Sequence, residues 1–188
     1  MYFDKKDLLT SPVSRAAYSD RSAWLMAEMS RLAYFKFEGD DALETLADNL
    51  MKLNNRSEFI KQAKVTISSL SETKGDAKEK LATYLDEAHF KIINTFNEKG
   101  TQAFLATRKA DKMAVLAFRG TEMNIGDIKT DLKTTVIDID GHSVHEGFYK
   151  AFKLVEQKIS KHLKNLDNDY VLYITGHSLG VALALIAT

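Results

Sequence analysis

The spacing of apolar residues in the first half of the chain predicts helices. Between residues 18 and 37, apolar side chains recur every three or four positions, which places most of them on one face of a helix. Asp20 or Ser22 has a side chain suited to cap the start of this helix. The same pattern returns more weakly over 40–53, 58–70 and 78–88. We therefore interpret residues 40–88 as small helices that form an insertion or an N-terminal helical region.

From residue 90 the pattern changes to one typical of β-strands. Strands are predicted over 90–96, 102–107 and 113–118, and together they form a meander. The third is apolar on both faces, as in a central strand. The pattern then predicts a short helix over 127–132, a strand over 135–139, an amphipathic helix over 146–166, a buried strand over 170–175 and an apolar helix. This alternation indicates an α/β fold, for which we predict a mainly parallel sheet with helices on both faces.

The junction between the last strand and the last helix has a sequence suited to nucleophilic catalysis. Gly176-His177-Ser178-Leu179-Gly180 matches G-x-S-x-G, the nucleophile elbow, in the strand-turn-helix context that the motif requires. The turn strains the serine backbone, and the two glycines keep side chains from striking neighbouring elements. We predict that Ser178 is the nucleophile. The Leu179 N–H, at the positive end of the following helix, is the first predicted oxyanion donor.

A second oxyanion donor is expected from a loop after an earlier central strand. The sequence Phe118-Arg119-Gly120-Thr121 follows the most apolar strand of the middle region. Gly120 permits a tight turn, and Thr121 has a backbone N–H and a hydroxyl that can bind a tetrahedral intermediate. Thr121 is therefore the predicted second donor.

Taken together, these motifs resemble the class 3 lipases of the fungal triacylglycerol lipase type, within the α/β-hydrolase superfamily. The similar segments are Ser-Arg-Leu-Ala-Tyr at 30–34, Val-Leu-Ala-Phe-Arg-Gly-Thr at 115–121, a D-x-x-x-D-L pattern at 127–132, Val-His-Glu-Gly-Phe at 144–148 and the elbow at 176–180. Their order and spacing agree with the family over most of residues 20–188, and 40–88 is the least similar part. The resemblance implies that residues 1–188 are the N-terminal part of one α/β-hydrolase domain.

The resemblance also implies an activity. It is that of a carboxylic ester hydrolase acting on lipids, either a triacylglycerol lipase or a phospholipase A1-like enzyme, with a Ser-His-Asp triad, an acyl-enzyme and no metal or other cofactor. A polar lid at 122–129 and transient contact with a lipid interface are further implications. His145 and His177 are expected to support the elbow, with His177 pointing away from the Ser178 hydroxyl. Asp127 and Asp131, four residues apart, are expected to cap and orient the oxyanion loop rather than to bind a cation.

The end of the chain departs from the family pattern, in which the triad Asp and His follow the serine. Thr188 comes too early for either, and the last helix ends in an apolar run without a C-cap signal. We therefore expect a fold that is incomplete at the C-terminus and nearly inactive by itself. His142 and His145 are alternatives for the base by residue type alone. The alternative function is that of an inactive homologue acting as a binding or interaction module, and a chance motif in an unrelated α/β domain is a third hypothesis.

Composition limits the partners. The chain has 26 basic and 26 acidic residues, so no overall field draws it to nucleic acid. It has no cysteine, which excludes disulfides, thiolate metal sites and a Cys nucleophile, and no pair of histidines has the spacing of a metal site. The charged N-terminus lacks the apolar core of a signal peptide, which predicts a cytoplasmic protein or one secreted by a signal-independent route. The oligomeric state remains open.

Overall fold

Helices and strands alternate along the part of the chain that the computed structural model describes, which is residues 2–9, 19–35, 77–120 and 135–188. Helices α1 to α4 span Asp20–Leu32, 77–87, Glu146–Leu163 and Leu179–Ile186. Strands β1 to β6 span Lys91–Glu98, Thr101–Arg108, Met113–Phe118, Val136–Ile139, His142–His145 and Val171–Gly176. The α/β class is confirmed. The helices predicted over 40–53, 58–70 and 127–132 lie outside the described residues.

Four of the strands form one sheet in the order β1-β2-β3-β6. The first three are antiparallel and form the predicted meander, while β6 joins β3 in parallel, so the described sheet is mixed. Phe118 pairs with Gly176 at the last position of the parallel ladder. The loop after β3 and the turn after β6 therefore leave the sheet side by side, at the edge where α/β proteins bind ligands.

Tight turns of the same kind close two hairpins. Lys99 and Gly100 join β1 to β2, and Asp140 and Gly141 join β4 to β5, with φ values of 46°, 82°, 51° and 83° respectively. Positive φ at both central residues matches the twist of the paired strands, and Asp-Gly is a favoured pair for it. The apolar pattern predicts β4 but not β5, because β4 contains three apolar residues whereas β5 contains one, Val144. The Asp-Gly pair was the signal for this second hairpin.

Helices cover both faces of the sheet, as predicted. On one face, α1 and α2 pack against the sheet through a fully buried cluster that includes Met29, Leu81, Leu85, Phe104 and Val115. On the other face, α3 and α4 do so through a cluster that includes Phe152, Val155, Leu183, Leu105 and Leu116. Adjacent residues of one strand, such as Phe104 and Leu105, thus serve opposite cores, as the twofold repeat of a strand requires.

Strand β6 is less buried than its sequence predicts. Val171 is 56% exposed and Leu172 is 38% exposed, whereas every residue of β3 is buried. Among the described strands β6 pairs only with β3, so its other edge has no neighbour there. The prediction of a buried strand over 170–175 is therefore wrong at residues 171 and 172. An apolar run reports hydrophobicity but not the number of neighbouring strands.

Candidate active site

A single strained residue lies between β6 and α4. β6 ends at Gly176, α4 begins at Leu179, and Ser178 has φ 53° and ψ −124°. Residues other than glycine rarely adopt positive φ. Such a conformation costs about 1–3 kcal/mol and persists only where its surroundings hold it in place. The Ser178 side chain makes no capping hydrogen bond to α4, and the residue is exposed. Its hydroxyl is therefore accessible at the end of the sheet.

The backbone around Ser178 is packed too closely for side chains at the flanking glycines. A Cβ on Gly176 would overlap the Gly180 carbonyl, and a Cβ on Gly180 would lie 2.6 Å from the Phe118 carbonyl oxygen. Gly180 therefore allows the start of α4 to rest directly on the end of β3. This close packing is the steric reason for the two glycines of the motif, as predicted.

The first turn of α4 is tightened by short-range hydrogen bonds. The Gly180 N–H donates to the His177 carbonyl at 2.9 Å, and the Val181 N–H donates to the Ser178 carbonyl at 3.0 Å. Amides at the start of a helix have no acceptor within the helix itself, and they lie at the positive end of its dipole. The Leu179 amide is in this position, directly after Ser178.

The loop after β3 reaches the same place. A Cβ on Gly120 would lie 2.5 Å from the His177 carbonyl oxygen and 3.2 Å from the Ser178 Cβ, so the Gly120 backbone is in close contact with the elbow. The Arg119 N–H anchors the loop by donating to the Gln102 carbonyl at 2.9 Å, and the Arg119 guanidinium donates to the Gln102 side chain. Thr121, Asp131 and the predicted lid at 122–129 lie outside the described residues.

Tyr34 belongs to this site, although the sequence motifs assign it no role. Its hydroxyl is 2.7 Å from Nδ1 of His177, and the two rings meet edge to face with centroids 5.6 Å apart. The only signal for this contact is the similarity of segment 30–34 to the family. Because Tyr34 precedes His177 by 143 residues, no local pattern can reveal the pair.

His145 lies at the start of α3. Its Nδ1 accepts a hydrogen bond from the Gly147 N–H at 3.1 Å and caps the helix, so the ring proton is on Nε2. That atom is buried and has no hydrogen-bond partner among the described residues. His145 packs against Phe148 with the two rings tilted by 48°, and it lines a cleft of about 800 Å³ that α4 also borders through Ala182 and Ile186. The role predicted for His145, support of the elbow, stays a prediction.

Within the described segments, no group of three or more His, Cys, Asp or Glu side chains is arranged to hold a metal ion. The described groups at the elbow are the Ser178 hydroxyl, backbone amides and the neighbouring Tyr34 and His177 side chains.

Comparison with known proteins identifies what this arrangement is similar to. Residues 115–188 match the family described as lipase (class 3). The secreted mono- and diacylglycerol lipase A of Penicillium cyclopium is 32% identical over 123 residues, which are 63% of this chain and 40% of that protein, and the protein of the same name from Penicillium camembertii gives the same values. The chain thus spans about 40% of the length of these curated relatives.

Solved structures of fungal lipases are also similar. The Rhizomucor miehei lipase propeptide complex has a TM-score of 0.49 and 27% identity, covering 55% of this chain and 36% of that one. Lipase II from Rhizopus niveus has a TM-score of 0.49 and 29% identity, covering 57% and 42%.

These comparisons contradict the location predicted from the N-terminal residues. Both Penicillium relatives are secreted lipases, so the prediction of a cytoplasmic protein, or of one secreted by a signal-independent route, is wrong. That prediction used the charge of the first residues alone. Because the chain spans 40% of the length of its relatives, these residues do not indicate a route of secretion. No helix in the described part of the chain is long and apolar enough to cross a membrane.

Proposed function

We propose that this chain supplies the nucleophile and oxyanion donors of a carboxylic ester hydrolase acting on lipids. Residues 115–188 match the class 3 lipase family, which the motifs also resemble. Ser178 is the proposed nucleophile. The Leu179 and Thr121 amides are the proposed donors to the oxyanion. Gly176, Gly180 and Gly120 are proposed to give the backbone the close approach that this arrangement needs.

The observation that carries the proposal is the backbone conformation of Ser178. Its φ of 53° is strained, and strain of this kind persists only where the surroundings impose it. The strained residue is also the exposed serine of a strand-turn-helix junction, with Gly120 in contact beside it. A protein without hydrolase chemistry has no physical need for this conformation, which is why we favour an enzyme over an inactive binding module.

The proposed reaction has two steps. In the first, Ser178 Oγ attacks the ester carbonyl carbon while a general base takes the hydroxyl proton, and the carbonyl oxygen becomes an alkoxide bound by the two amides. Collapse of this intermediate expels the alcohol, which receives the proton, and leaves an acyl group on Ser178. In the second, water attacks the acyl carbon, releases the fatty acid and restores the serine.

The base and its orienting acid follow the nucleophile in the family's order Ser, Asp, His. We assign neither role to a residue of this chain. His145 uses Nδ1 to cap α3, and the Nδ1 of His177 is hydrogen-bonded to the Tyr34 hydroxyl. Both side chains therefore already have supporting roles.

The names of the relatives suggest which lipids to test. Both Penicillium proteins are named mono- and diacylglycerol lipases. We propose partial glycerides as the first substrates to compare, with triglycerides and phospholipids as the alternatives. We also propose that the enzyme binds its substrate at a lipid surface.

The test is hydrolysis by the complete product of the gene. We expect turnover of p-nitrophenyl butyrate and of a monoglyceride, and Ser178→Ala lowers kcat by at least about 10³-fold because it removes the attacking atom. Ser160→Ala, a serine on α3 outside the site, is the matched control and keeps the wild-type rate. A fluorophosphonate probe should modify Ser178 alone, as read by peptide mass spectrometry.

Two results would overturn the proposal. Equal rates for wild type and Ser178→Ala would remove the nucleophile assignment. A folded complete protein that hydrolyses none of these esters and takes up no probe would favour the binding-module hypothesis.

A further inference from the structure

We infer that Tyr34 is a positioning residue for the nucleophile: its hydrogen bond to His177 fixes the residue before Ser178 and thereby supports the elbow. The inference rests on the proposed function of Ser178. It adds a residue from the N-terminal half of the chain to a site otherwise built by β3, β6 and α4.

Tyr34 is held in place by the end of α1. The chain leaves the helix through tight turns, in which the Tyr34 N–H donates to the Arg31 carbonyl at 3.2 Å and the Phe35 N–H donates to the Leu32 carbonyl at 3.1 Å. The neighbouring Ala33 and Leu32 are fully buried in the core between α1 and the sheet. The side chain of Tyr34 therefore projects towards the elbow from a packed support.

The contact with the elbow is made at one point shared by three segments. An ideal Cβ on Gly120 would lie 2.5 Å from the Tyr34 hydroxyl oxygen, 2.5 Å from the His177 carbonyl oxygen and 3.2 Å from the Ser178 Cβ. The Tyr34 hydroxyl, the His177 backbone and Ser178 thus leave no room for a methyl group beside the Gly120 backbone.

The strain at Ser178 explains why such a support is needed. A residue at positive φ returns to an ordinary conformation when the peptide planes on either side rotate about the bonds to its Cα, and the plane before Ser178 includes the His177 carbonyl. His177 is exposed, and its ring meets the Tyr34 ring edge to face. The 2.7 Å hydrogen bond to the Tyr34 hydroxyl is the contact that fixes the orientation of the ring.

An alternative is that Tyr34 only packs α1 against the elbow. The two roles predict different effects when the hydroxyl alone is lost. A packing role depends on the ring, which Tyr34→Phe retains. A positioning role depends on the hydrogen bond, which Tyr34→Phe removes.

The first measurement is independent of activity. In the complete protein with ¹⁵N-labelled histidine, the Nδ1 resonance of His177 reports its hydrogen bond, and we expect it to move in Tyr34→Phe. Tyr84→Phe, in which a tyrosine of α2 undergoes the same chemical change, is the matched control and should leave that resonance unchanged. An unmoved His177 resonance in Tyr34→Phe overturns the inference, whatever the outcome for Ser178.

The second measurement is the rate at which Ser178 is modified by the fluorophosphonate probe. We expect Tyr34→Phe to slow it about tenfold, the effect of losing one hydrogen bond in the reacting geometry, with the circular dichroism spectrum unchanged. His177→Asn should slow it similarly, and the double variant should be no slower than the slower single variant, because both remove the same bond.

Multiplicative effects of the two substitutions would overturn the inference, and so would a wild-type rate in Tyr34→Phe. If the wild type itself takes up no probe, the proposed function fails, and the resonance of His177 then decides only whether the hydrogen bond exists.

Discussion

Strands β3 and β6 are parallel neighbours, and each leads directly into the candidate site, but their surroundings differ. β3 is buried over its whole length and has a strand on each side. β6 pairs with one strand in the described sheet, and its first two residues are substantially exposed. The strained Ser178 follows the less protected strand of the two.

This difference indicates that the elbow is held by its neighbours rather than by its own strand. Gly180 lets the start of α4 rest on the carbonyl of Phe118, at the end of β3. On the opposite face, the hydroxyl of Thr175 donates to the carbonyl of Met26 in α1. If so, substitutions in β3 should affect overall stability most, and substitutions around β6 should affect the site more than the fold.

The largest expected effect is on stability, from Leu116→Ala in β3. Leu116 is 1% exposed in the core under α3 and α4. Removing a buried leucine side chain leaves a cavity and costs about 2–5 kcal/mol of unfolding free energy. The matched variant in β6 is Leu172→Ala, at a residue that is 38% exposed, and it should cost about 1 kcal/mol or less.

Urea denaturation of both variants in the 188-residue chain, to which these exposures apply, is the measurement. Equal losses at the two positions would contradict the comparison between the strands, because they would require Leu172 to be as well packed as Leu116.

How much of this site can be predicted from the sequence depends on how far apart its contacting residues lie along the chain. The elbow is local: strand, glycine, serine, glycine and helix are consecutive, and steric necessity fixes the glycines. The meander is nearly local, since its turns join adjacent strands and one of them contains Lys99 and Gly100 at positive φ. Both were predicted for this reason.

The parts that escaped prediction depend on tertiary contacts. Tyr34 meets His177 across 143 residues, and neither residue carries a pattern that names the other. The exposure of Val171 has the same origin, because apolar composition predicts burial only when the number of neighbouring strands is known. The strand His142–His145 was missed because its one apolar residue, Val144, gives no hydrophobic pattern, and only its turn is recognisable.

A smaller effect is expected at Gly180, where the start of α4, which follows β6, contacts the end of β3. A Cβ at residue 180 would lie 2.6 Å from the Phe118 carbonyl oxygen and 3.0 Å from the Arg119 backbone, neither of which can move as a side chain does. Gly180→Ala should therefore destabilise the protein by about 1–3 kcal/mol, as overpacking does, and slow modification of Ser178. Val181→Ala, at the next residue and on the exposed side of α4, is the control.

Denaturation and probe labelling of the same samples separate the two consequences. Slower labelling with unchanged stability would mean that α4 tilts to accept the methyl group. Unchanged labelling with lost stability would contradict the idea that contact with β3 supports the elbow.

The smallest effect is expected from Thr175→Val, which tests the support from α1. The Thr175 hydroxyl is 3.2 Å from the Met26 carbonyl oxygen, and Thr175 is the penultimate residue of β6, directly before Gly176. Valine has nearly the same shape without the donor, so the variant should lose about 0.5–1.5 kcal/mol of unfolding free energy. We expect Thr175→Val to label Ser178 more slowly than the wild type. Thr175→Ser keeps the hydroxyl but lacks the methyl group, and we expect it to label Ser178 at the wild-type rate. If both variants label Ser178 at the wild-type rate, α1 packs against β6 without positioning the nucleophile, and we then assign that role to Tyr34, in the turn that follows α1.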